Sequence, residues 1–163
     1  MPGTFTYTAL TPENAAAVAA FPQNPTELFY MFPRGKFPFT ADQLLKTAAT
    51  RFDPTVCHLD GEPAGYAVFR KLEPGVQATI GNVVVNPALR RRGVCKALMQ
   101  HMIELARTKH GVSEVRLAVF NENTAAILLY ASMGFTPHAV KARTGDDGTV
   151  SALLMMRMDV SIN

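Results

Sequence analysis

The chain has 163 residues, of which 48% are hydrophobic and 18% charged, and its formal net charge is +3. This composition excludes a disordered or fibrous chain, and the length suits one folded unit with its own core. We therefore expect a single domain over residues 1–163. Much of the excess positive charge falls in one short run, at Arg90, Arg91, Arg92 and Lys96, which indicates a local anionic ligand and argues against a nucleic-acid surface.

The cysteines and the N-terminal residues indicate a cytoplasmic location. Cys57 and Cys95 lack the spacing of metal ligands, so we predict reduced thiols and no metal site. The first residues lack the basic and apolar regions of a secretion signal. No apolar run reaches the roughly 20 residues of a membrane helix, so we expect no membrane partner.

The first half of the chain reads as a strand over residues 4–10, a helix over 12–21 capped by Thr11, and a second helix over 41–51. Between the helices, residues 22–39 mix four prolines with five aromatic residues, which predicts a loop or short helical turns. Strands are then predicted over 55–59, 63–71 and 77–85, because turn residues separate three apolar runs.

The second half alternates helices and strands. Helical periodicity predicts a long helix from about residue 93 to 110, then a strand over 114–120 and a helix over 121–132. Two strands over 136–140 and 150–160 close the chain. A strand–helix–strand unit joins parallel neighbours, so the order predicts a mixed α/β sheet of about six to seven strands with flanking helices.

The turn between the strand at 77–85 and the long helix has the features of an anion site. The first amides of a helix have no backbone partner and carry the positive end of its dipole. Gly93 has no Cβ, so an anion can approach the backbone closely there. Arginine-rich turns also occur as plain solvated surface, and that alternative stays open on these residues alone.

Two longer segments carry a family resemblance. Residues 82–98, NVVVNPALRRRGVCKAL, resemble the acetyl-CoA signature of the GNAT superfamily of N-acetyltransferases. Residues 115–135, VRLAVFNENTAAILLYASMGF, look like the second signature of that superfamily. The resemblance extends over essentially the whole chain and is specific from Gly81 to Phe135. It implies a sheet that splays open between strands 77–85 and 114–120, with acetyl-CoA held in the gap.

The resemblance also implies which residues contact the cofactor. They lie on the first strand of the gap, on the arginine-glycine turn and on the helix after the second strand: Val83, Val84, Val85, Arg90, Arg91, Arg92, Gly93, Val94, Cys95, Lys96, Asn121, Asn123, Ala126 and Tyr130. Cys95 stands where the signature usually has Gly or Ala. We interpret it as a small apolar filler, and the alternative is a thiol made reactive by a lowered pKa.

For catalysis, the resemblance implies that Tyr130 donates a proton to the departing thiolate, which a neutral phenol can do. A carboxylate base is missing from residues 117–120. We predict that Asn82, a polar residue in an apolar strand, orders a water that takes the proton of the amine. Glu27, His58 and Glu122 are alternative bases.

The acceptor is predicted to contact Glu27, Phe29, Tyr30 and Phe32, because aromatic rings suit the apolar part of an amine or bind an ammonium group. The acidic turn at residues 145–148 adds negative charge. The resemblance thus predicts direct transfer of an acetyl group to a primary amine of a small molecule, peptide or protein, in a ternary complex. The alternative is a catalytically silent acyl-CoA sensor. Both a monomer and a homodimer stay open.

Overall fold

The computed structural model describes residues 3–161, which form one seven-stranded sheet of order β1-β2-β3-β4-β5-β7-β6. The strands are Phe5–Ala9 (β1), Phe52–Leu59 (β2), Glu62–Glu73 (β3), Gln77–Val85 (β4), Glu114–Phe120 (β5), Thr136–Thr144 (β6) and Val150–Asp159 (β7). Neighbouring strands are antiparallel except β4 and β5, which are parallel. The predicted mixed α/β sheet with a central parallel pair is confirmed.

Within the described residues, five α-helices flank this sheet: Pro12–Ala19 (α1), Pro25–Met31 (α2), Ala41–Ala48 (α3), Val94–His110 (α4) and Thr124–Ser132 (α5). Side chains of Thr11, Asn24 and Thr40 cap the first three helices by accepting backbone amide hydrogen bonds. Part of the segment predicted as a loop or short turns is thus the helix α2, begun by the Asn24 cap and a proline at its first position. No helix within residues 3–161 is long and apolar enough to cross a membrane.

The helices cover both faces of the sheet. Leu98, Met99 and Met102 of α4 are fully buried in one core cluster, which includes Phe69 of β3. The other cluster joins α1, α2 and α3 to the opposite face, through residues such as Tyr66 of β3. Successive residues of a strand point to opposite faces, so β3 contributes to both clusters.

The parallel pair opens partway along its length. Gln77–Ile80 of β4 pairs with residues 114–117 of β5, and the pairing stops there. Asn82 has a φ of 53°, and the β3–β4 register shifts at this point. Val84 stays paired with Tyr66 of β3, while β5 stays paired with β7 as far as Phe120. The bulge at Asn82 therefore turns the end of β4 away from β5 and leaves a gap.

Candidate active site

The gap between β4 and β5 contains a small cavity of about 50 Å³. Its walls come from both strands, from α2, from the residue before α5 and from the last turn of α5: Tyr30, Ile80, Gly81, Asn82, Val83, Leu117, Ala118, Val119, Phe120, Asn123 and Tyr130. Asn123 and Tyr130 are seven residues apart, two helical turns, and so share a face. The structure thus brings five sequence-predicted residues, namely Tyr30, Asn82, Val83, Asn123 and Tyr130, to one point.

Tyr130 reaches this cavity from α5 and is 6% exposed. Its ring packs edge-on against Phe135, with 6.0 Å between ring centroids, and its hydroxyl interacts with the thiol of Cys95. Burial raises the pKa of Tyr130 well above 10, and the neighbouring Cys95 raises it further. The hydroxyl is therefore protonated at neutral pH and available as a proton donor.

Asn82 presents a hydrogen-bond acceptor to the same region. Its Nδ2 donates to the backbone oxygen of Met31 at 3.0 Å. The opposite amide orientation would place oxygen against oxygen, so this contact fixes which atom is Oδ1. Oδ1 is buried and has no hydrogen-bond partner among residues 3–161. A buried acceptor left without a donor costs about 1–3 kcal/mol, a penalty that a ligand N–H or a water relieves.

The arginine-glycine turn leads into α4 beside an open depression of about 340 Å³, whose lining includes Arg90, Arg91 and Lys96. Gly93, with a φ of 77°, precedes the helix, and no side chain caps the first turn. Arg91 also has a positive φ, of 64°. The amides of Val94, Cys95 and Lys96 are therefore free to bind an anion, and a pyrophosphate suits this site.

Arg90 and Glu27 form an ion pair with 2.9 Å between Nη2 and Oε1. Glu27 also accepts a hydrogen bond from the backbone amide of Gln23 at 3.1 Å. Glu27 was predicted in the acceptor site, whereas the structure places its carboxylate on the arginine-glycine turn, where it links α2 to the start of α4. Arg91 and Arg92 are exposed.

Cys95 is partly buried and packs against the core cluster under α4. Burial raises the pKa of its thiol to about 11, and the hydrogen bond from Tyr130 offsets only part of that rise. A thiol with a raised pKa is a poor nucleophile at neutral pH. The geometry therefore supports the interpretation as a small filler between helix and sheet, and it opposes the reactive alternative.

Of three further predicted cofactor residues, one has a free side chain beside the gap and two make structural contacts. The side chain of Asn123, the residue before α5, makes no capping hydrogen bond. Its side-chain amide is therefore free beside the gap. Asn121 instead uses its Oδ1 to accept from the backbone amide of Ala152 at 3.0 Å, and so fastens the chain to β7. Ala126 packs at the margin of the core cluster.

Two larger cavities continue from the gap on the side of α2. The inner chamber, about 330 Å³, is lined by Tyr30, Met31, Phe32, Pro33, Arg34, Arg51, Arg70, Ile80, Gly81, Asn82, Ala118, Phe120, Arg143 and Leu153. The outer cavity, about 550 Å³, shares four of these residues, Tyr30, Pro33, Arg34 and Arg143. The rings of Phe29 and Tyr30 lie 4.6 and 6.0 Å from that of Phe120. The three predicted aromatic residues, Phe29, Tyr30 and Phe32, thus line this region.

The alternative bases lie farther away. His58 is on β2, which β3 separates from β4. Glu122 and the acidic turn residues Asp146 and Asp147 line the outer cavity. Among the residues that line the small cavity of the gap there is no carboxylate.

Comparison with known proteins identifies this arrangement. A sequence model of the Acetyltransferase (GNAT) family matches residues 10–135. The [ribosomal protein bS18]-alanine N-acetyltransferase of Escherichia coli strain K12 is 29% identical over 121 residues, which is 73% of this chain and 80% of that protein. A putative acetyltransferase from Salmonella typhimurium, solved with its cofactor acetyl-CoA, has a TM-score of 0.72 at 21% identity, covering 98% of this chain and 95% of the other.

The spermidine N-acetyltransferase of Vibrio cholerae, solved with CoA and spermine, has a TM-score of 0.80 at 17% identity and 96% coverage of both chains. Structural likenesses at these identities show a shared acyltransferase fold. The chain belongs to the GNAT family of acetyltransferases, on the strength of the family match. The predicted family, the acyltransferase class and acetyl-CoA as the cofactor of that family are confirmed. The cytoplasmic location, the oligomeric state and the residue roles stay predictions.

Proposed function

We propose that this protein transfers the acetyl group of acetyl-CoA to a primary amine, by direct attack of the amine in the gap between β4 and β5. One observation carries the proposal: Tyr130, with its buried hydroxyl, and Asn82, with its unpartnered Oδ1, line the same small cavity of the splayed pair. The first group is suited to give a proton and the second to accept a hydrogen bond, as acetyl transfer from a thioester to an amine requires.

The residues that would hold the cofactor lie at the start of α4 and along the end of β4 beside the gap. The free amides of Val94, Cys95 and Lys96 fit the pyrophosphate, with Gly93 leaving room for its approach. The end of β4, Val83 to Val85, faces the gap because it no longer pairs with β5. Acetyl-CoA supplies a thioester, whose carbonyl carbon is the point of attack.

Tyr130 is the proposed acid. As the new carbon–nitrogen bond forms, the carbon–sulfur bond breaks and its electron pair passes to sulfur. Tyr130 donates its proton to that sulfur, and solvent reprotonates the phenol. Its raised pKa keeps the hydroxyl neutral across the physiological range, so the rate does not decline through loss of this proton below pH 10.

Asn82 is proposed to position the amine. Its Oδ1 accepts a hydrogen bond from the attacking nitrogen or from a water beside it, and the contact with Met31 prevents the amide from rotating. The proton released by the amine passes to that water, because no carboxylate lines the small cavity. An uncharged acceptor of this kind implies that the amine must arrive deprotonated, so the rate should rise with pH.

The test is CoA release on a panel of primary amines, followed by mass spectrometry of the products. We expect amine-dependent release of CoA and one acetyl group on the product nitrogen. Binding of acetyl-CoA without transfer to any amine would contradict the proposal and favour a catalytically silent acyl-CoA sensor. That alternative draws no support from the family match or the relatives, which are named for acetyl transfer.

A further inference from the structure

The inner chamber beside the gap is lined by four arginines. They come from four separate parts of the fold: Arg34 follows α2, Arg51 follows α3, Arg70 lies on β3 and Arg143 on β6. The chamber shares Tyr30, Ile80, Gly81, Asn82, Ala118 and Phe120 with the small cavity. The four arginines therefore line a chamber that adjoins the proposed reaction point.

Carboxylates line the outer cavity, which shares Arg34 and Arg143 with the inner chamber, but they do not line the inner chamber itself. None of the four arginines forms an ion pair within residues 3–161, and no Asp or Glu lines the inner chamber. The Nε of Arg51 is buried without any hydrogen-bond partner in that part of the chain, although its Nη1 lies 3.4 Å from the hydroxyl of Thr50. A buried charged donor without an acceptor is unfavourable, so the cluster is unlike a structural ion-pair network.

The arginines are close enough to repel one another. The pKa of Arg70 is lowered, first by partial desolvation and then by the positive charges of Arg51, Arg143 and Arg34. The backbone also makes room for Arg70: a Cβ added to Gly81 would lie 2.2 Å from Cδ of Arg70. Arg70 thus lies across β4 at Gly81, the residue before Asn82. Any residue other than glycine at position 81 would displace the side chain of Arg70.

We propose that the acceptor is an amine that also carries an oxyanion, a carboxylate or a phosphoryl group, a few bonds from its nitrogen, and that the inner chamber binds this oxyanion. Guanidinium groups bind both anions through paired hydrogen bonds. Because the inner chamber adjoins the gap, the oxyanion and the amine nitrogen of the substrate must be only a few bonds apart. The inference rests on the proposed function, and it excludes polyamines, which the chamber repels.

The chamber is distinct from the site proposed for the cofactor phosphates. The depression at the arginine-glycine turn is lined by residues from Val85 to Lys96 and by Leu129, and it shares no residue with the inner chamber. Ile80, Gly81 and Asn82 contact the chamber from one end of the β4 bulge, whereas Val85 contacts the depression from the other. The two basic sites therefore bind two different anions.

Matched pairs of amines test the inference. L-Alanine is compared with L-alaninamide, 2-aminoethylphosphonate with 2-aminoethanol, and spermidine serves as the polyamine. We expect each acid to exceed its uncharged partner by about 10- to 100-fold in kcat/KM expressed per concentration of the neutral amine, the effect of one strong charge-assisted interaction. The two pairs distinguish a carboxylate site from a phosphoryl site.

Variants then assign the effect to the chamber. Arg51→Gln and Arg70→Gln should each lower the ratio of kcat/KM for the preferred acid to that for its uncharged partner by about 10- to 100-fold. Lys46→Gln, an exposed change on α3, is the control and should not alter this ratio. Calorimetry on CoA-loaded protein with N-acetylalanine and N-acetylalaninamide measures the same preference without turnover.

The failures of the two proposals differ. Equal transfer to acids and uncharged partners, or a preference that survives both arginine variants, overturns the inference and leaves the proposed function standing. Transfer to no amine, with acetyl-CoA bound, overturns the proposed function and the inference with it. Faster transfer to spermidine than to every acid overturns the inference alone.

Discussion

The side-chain amide of Asn82 donates a hydrogen bond to the backbone oxygen of Met31 at 3.0 Å. This contact joins the bulge of β4 to the last residue of α2, the helix that carries Phe29 and Tyr30. It also sets the direction of Oδ1, which is buried and unpartnered among the described residues. One side chain thus links the opening of the sheet, the wall of the acceptor cavities and the proposed position of the amine.

Replacing Asn82 by Gly should lower kcat by about 10- to 100-fold, because the hydrogen-bond acceptor at the reaction point is lost. Glycine suits the φ of 53° at this position, so the backbone should keep its path. Steady-state kinetics and a thermal unfolding curve are the measurements. Asp60→Gly is the matched control, because Asp60 has a φ of 50° in the β2–β3 turn. A kcat equal to that of the unchanged protein would remove Asn82 from the mechanism.

Gly93 and Gly111 mark the two ends of α4 and provide a second matched pair. Both have positive φ angles, of 77° and 63°, and a Cβ added at either meets open space. Alanine at each position should cost about 1–2 kcal/mol of stability through backbone strain. Only Gly93→Ala should also weaken acetyl-CoA binding, by about tenfold or more, because its Cβ occupies the approach of the pyrophosphate. Equal affinities in the two variants, measured by calorimetry, would contradict the phosphate site.

The thiols should be inert in the folded protein. Burial raises the pKa of Cys57 and of Cys95 to about 11, so few thiolates exist at neutral pH. A chromogenic disulfide reagent at pH 7.5 should label no thiol rapidly, and should label both after denaturation. Cys95→Ala should retain acetyl-CoA affinity within about threefold. Rapid labelling that Cys95→Ala abolishes, and Cys57→Ala does not, would restore the reactive interpretation.

Asp53 should contribute stability that depends on pH. It lies 2.5 Å from Nζ of Lys109 and 2.6 Å from Nε2 of His110 at the end of α4. Burial acts to raise the pKa of Asp53, but the hydrogen bonds and charges of Lys109 and His110 outweigh it and hold the pKa below 3.8. A lowered pKa stabilises the fold above the unfolded value of about 3.9, and this contribution is lost as the pH falls through the folded value.

Asp53→Asn should therefore lower the free energy of unfolding by about 1–2 kcal/mol at pH 7. Asparagine tolerates the φ of 49° at this position. The difference from the unchanged protein should hold down to about pH 5 and shrink below about pH 4. Asp42→Asn, which removes an exposed pair with Lys46, should change stability by less than about 0.5 kcal/mol. A difference for Asp53→Asn that persists at pH 2 would refute the electrostatic origin.

Local sequence patterns predicted the anion site before α4, and the resemblance to the GNAT signatures predicted Asn123 and Tyr130 at α5. The turn before α4 has a recognisable order of residue types, and so does α5 with Asn123 and Tyr130, because backbone geometry there depends on neighbours in sequence. For residues 22–39 the sequence predicted a loop or short helical turns, although Asn24 followed by Pro25 is typical of a helix start. The many aromatic residues and prolines around it obscured the helix.

The arginine chamber was not predictable in the same way. Arg34, Arg51, Arg70 and Arg143 are separated by 17 or more residues, and pairings between distant strands, such as Phe52 of β2 with Phe69 of β3, bring them to one chamber. Glu27 shows the converse. Its position in the aromatic segment 22–39 placed it in the predicted acceptor site, but its carboxylate contacts Arg90, a partner that no local pattern identifies. Long-range contacts of charged side chains depend on the completed fold.

Tyr130 offers the most direct test of acetyl transfer in the gap. The measurement is the single-turnover rate of acetyl transfer at saturating acetyl-CoA and amine, for the unchanged protein, Tyr130→Phe and Tyr7→Phe. The control removes a hydroxyl that hydrogen-bonds the backbone oxygen of Ala97 on α4, away from the gap. We predict that Tyr130→Phe lowers the rate by about 100- to 1,000-fold while acetyl-CoA affinity stays within about threefold, and that the control does not. Equal single-turnover rates for Tyr130→Phe and the unchanged protein would contradict the account.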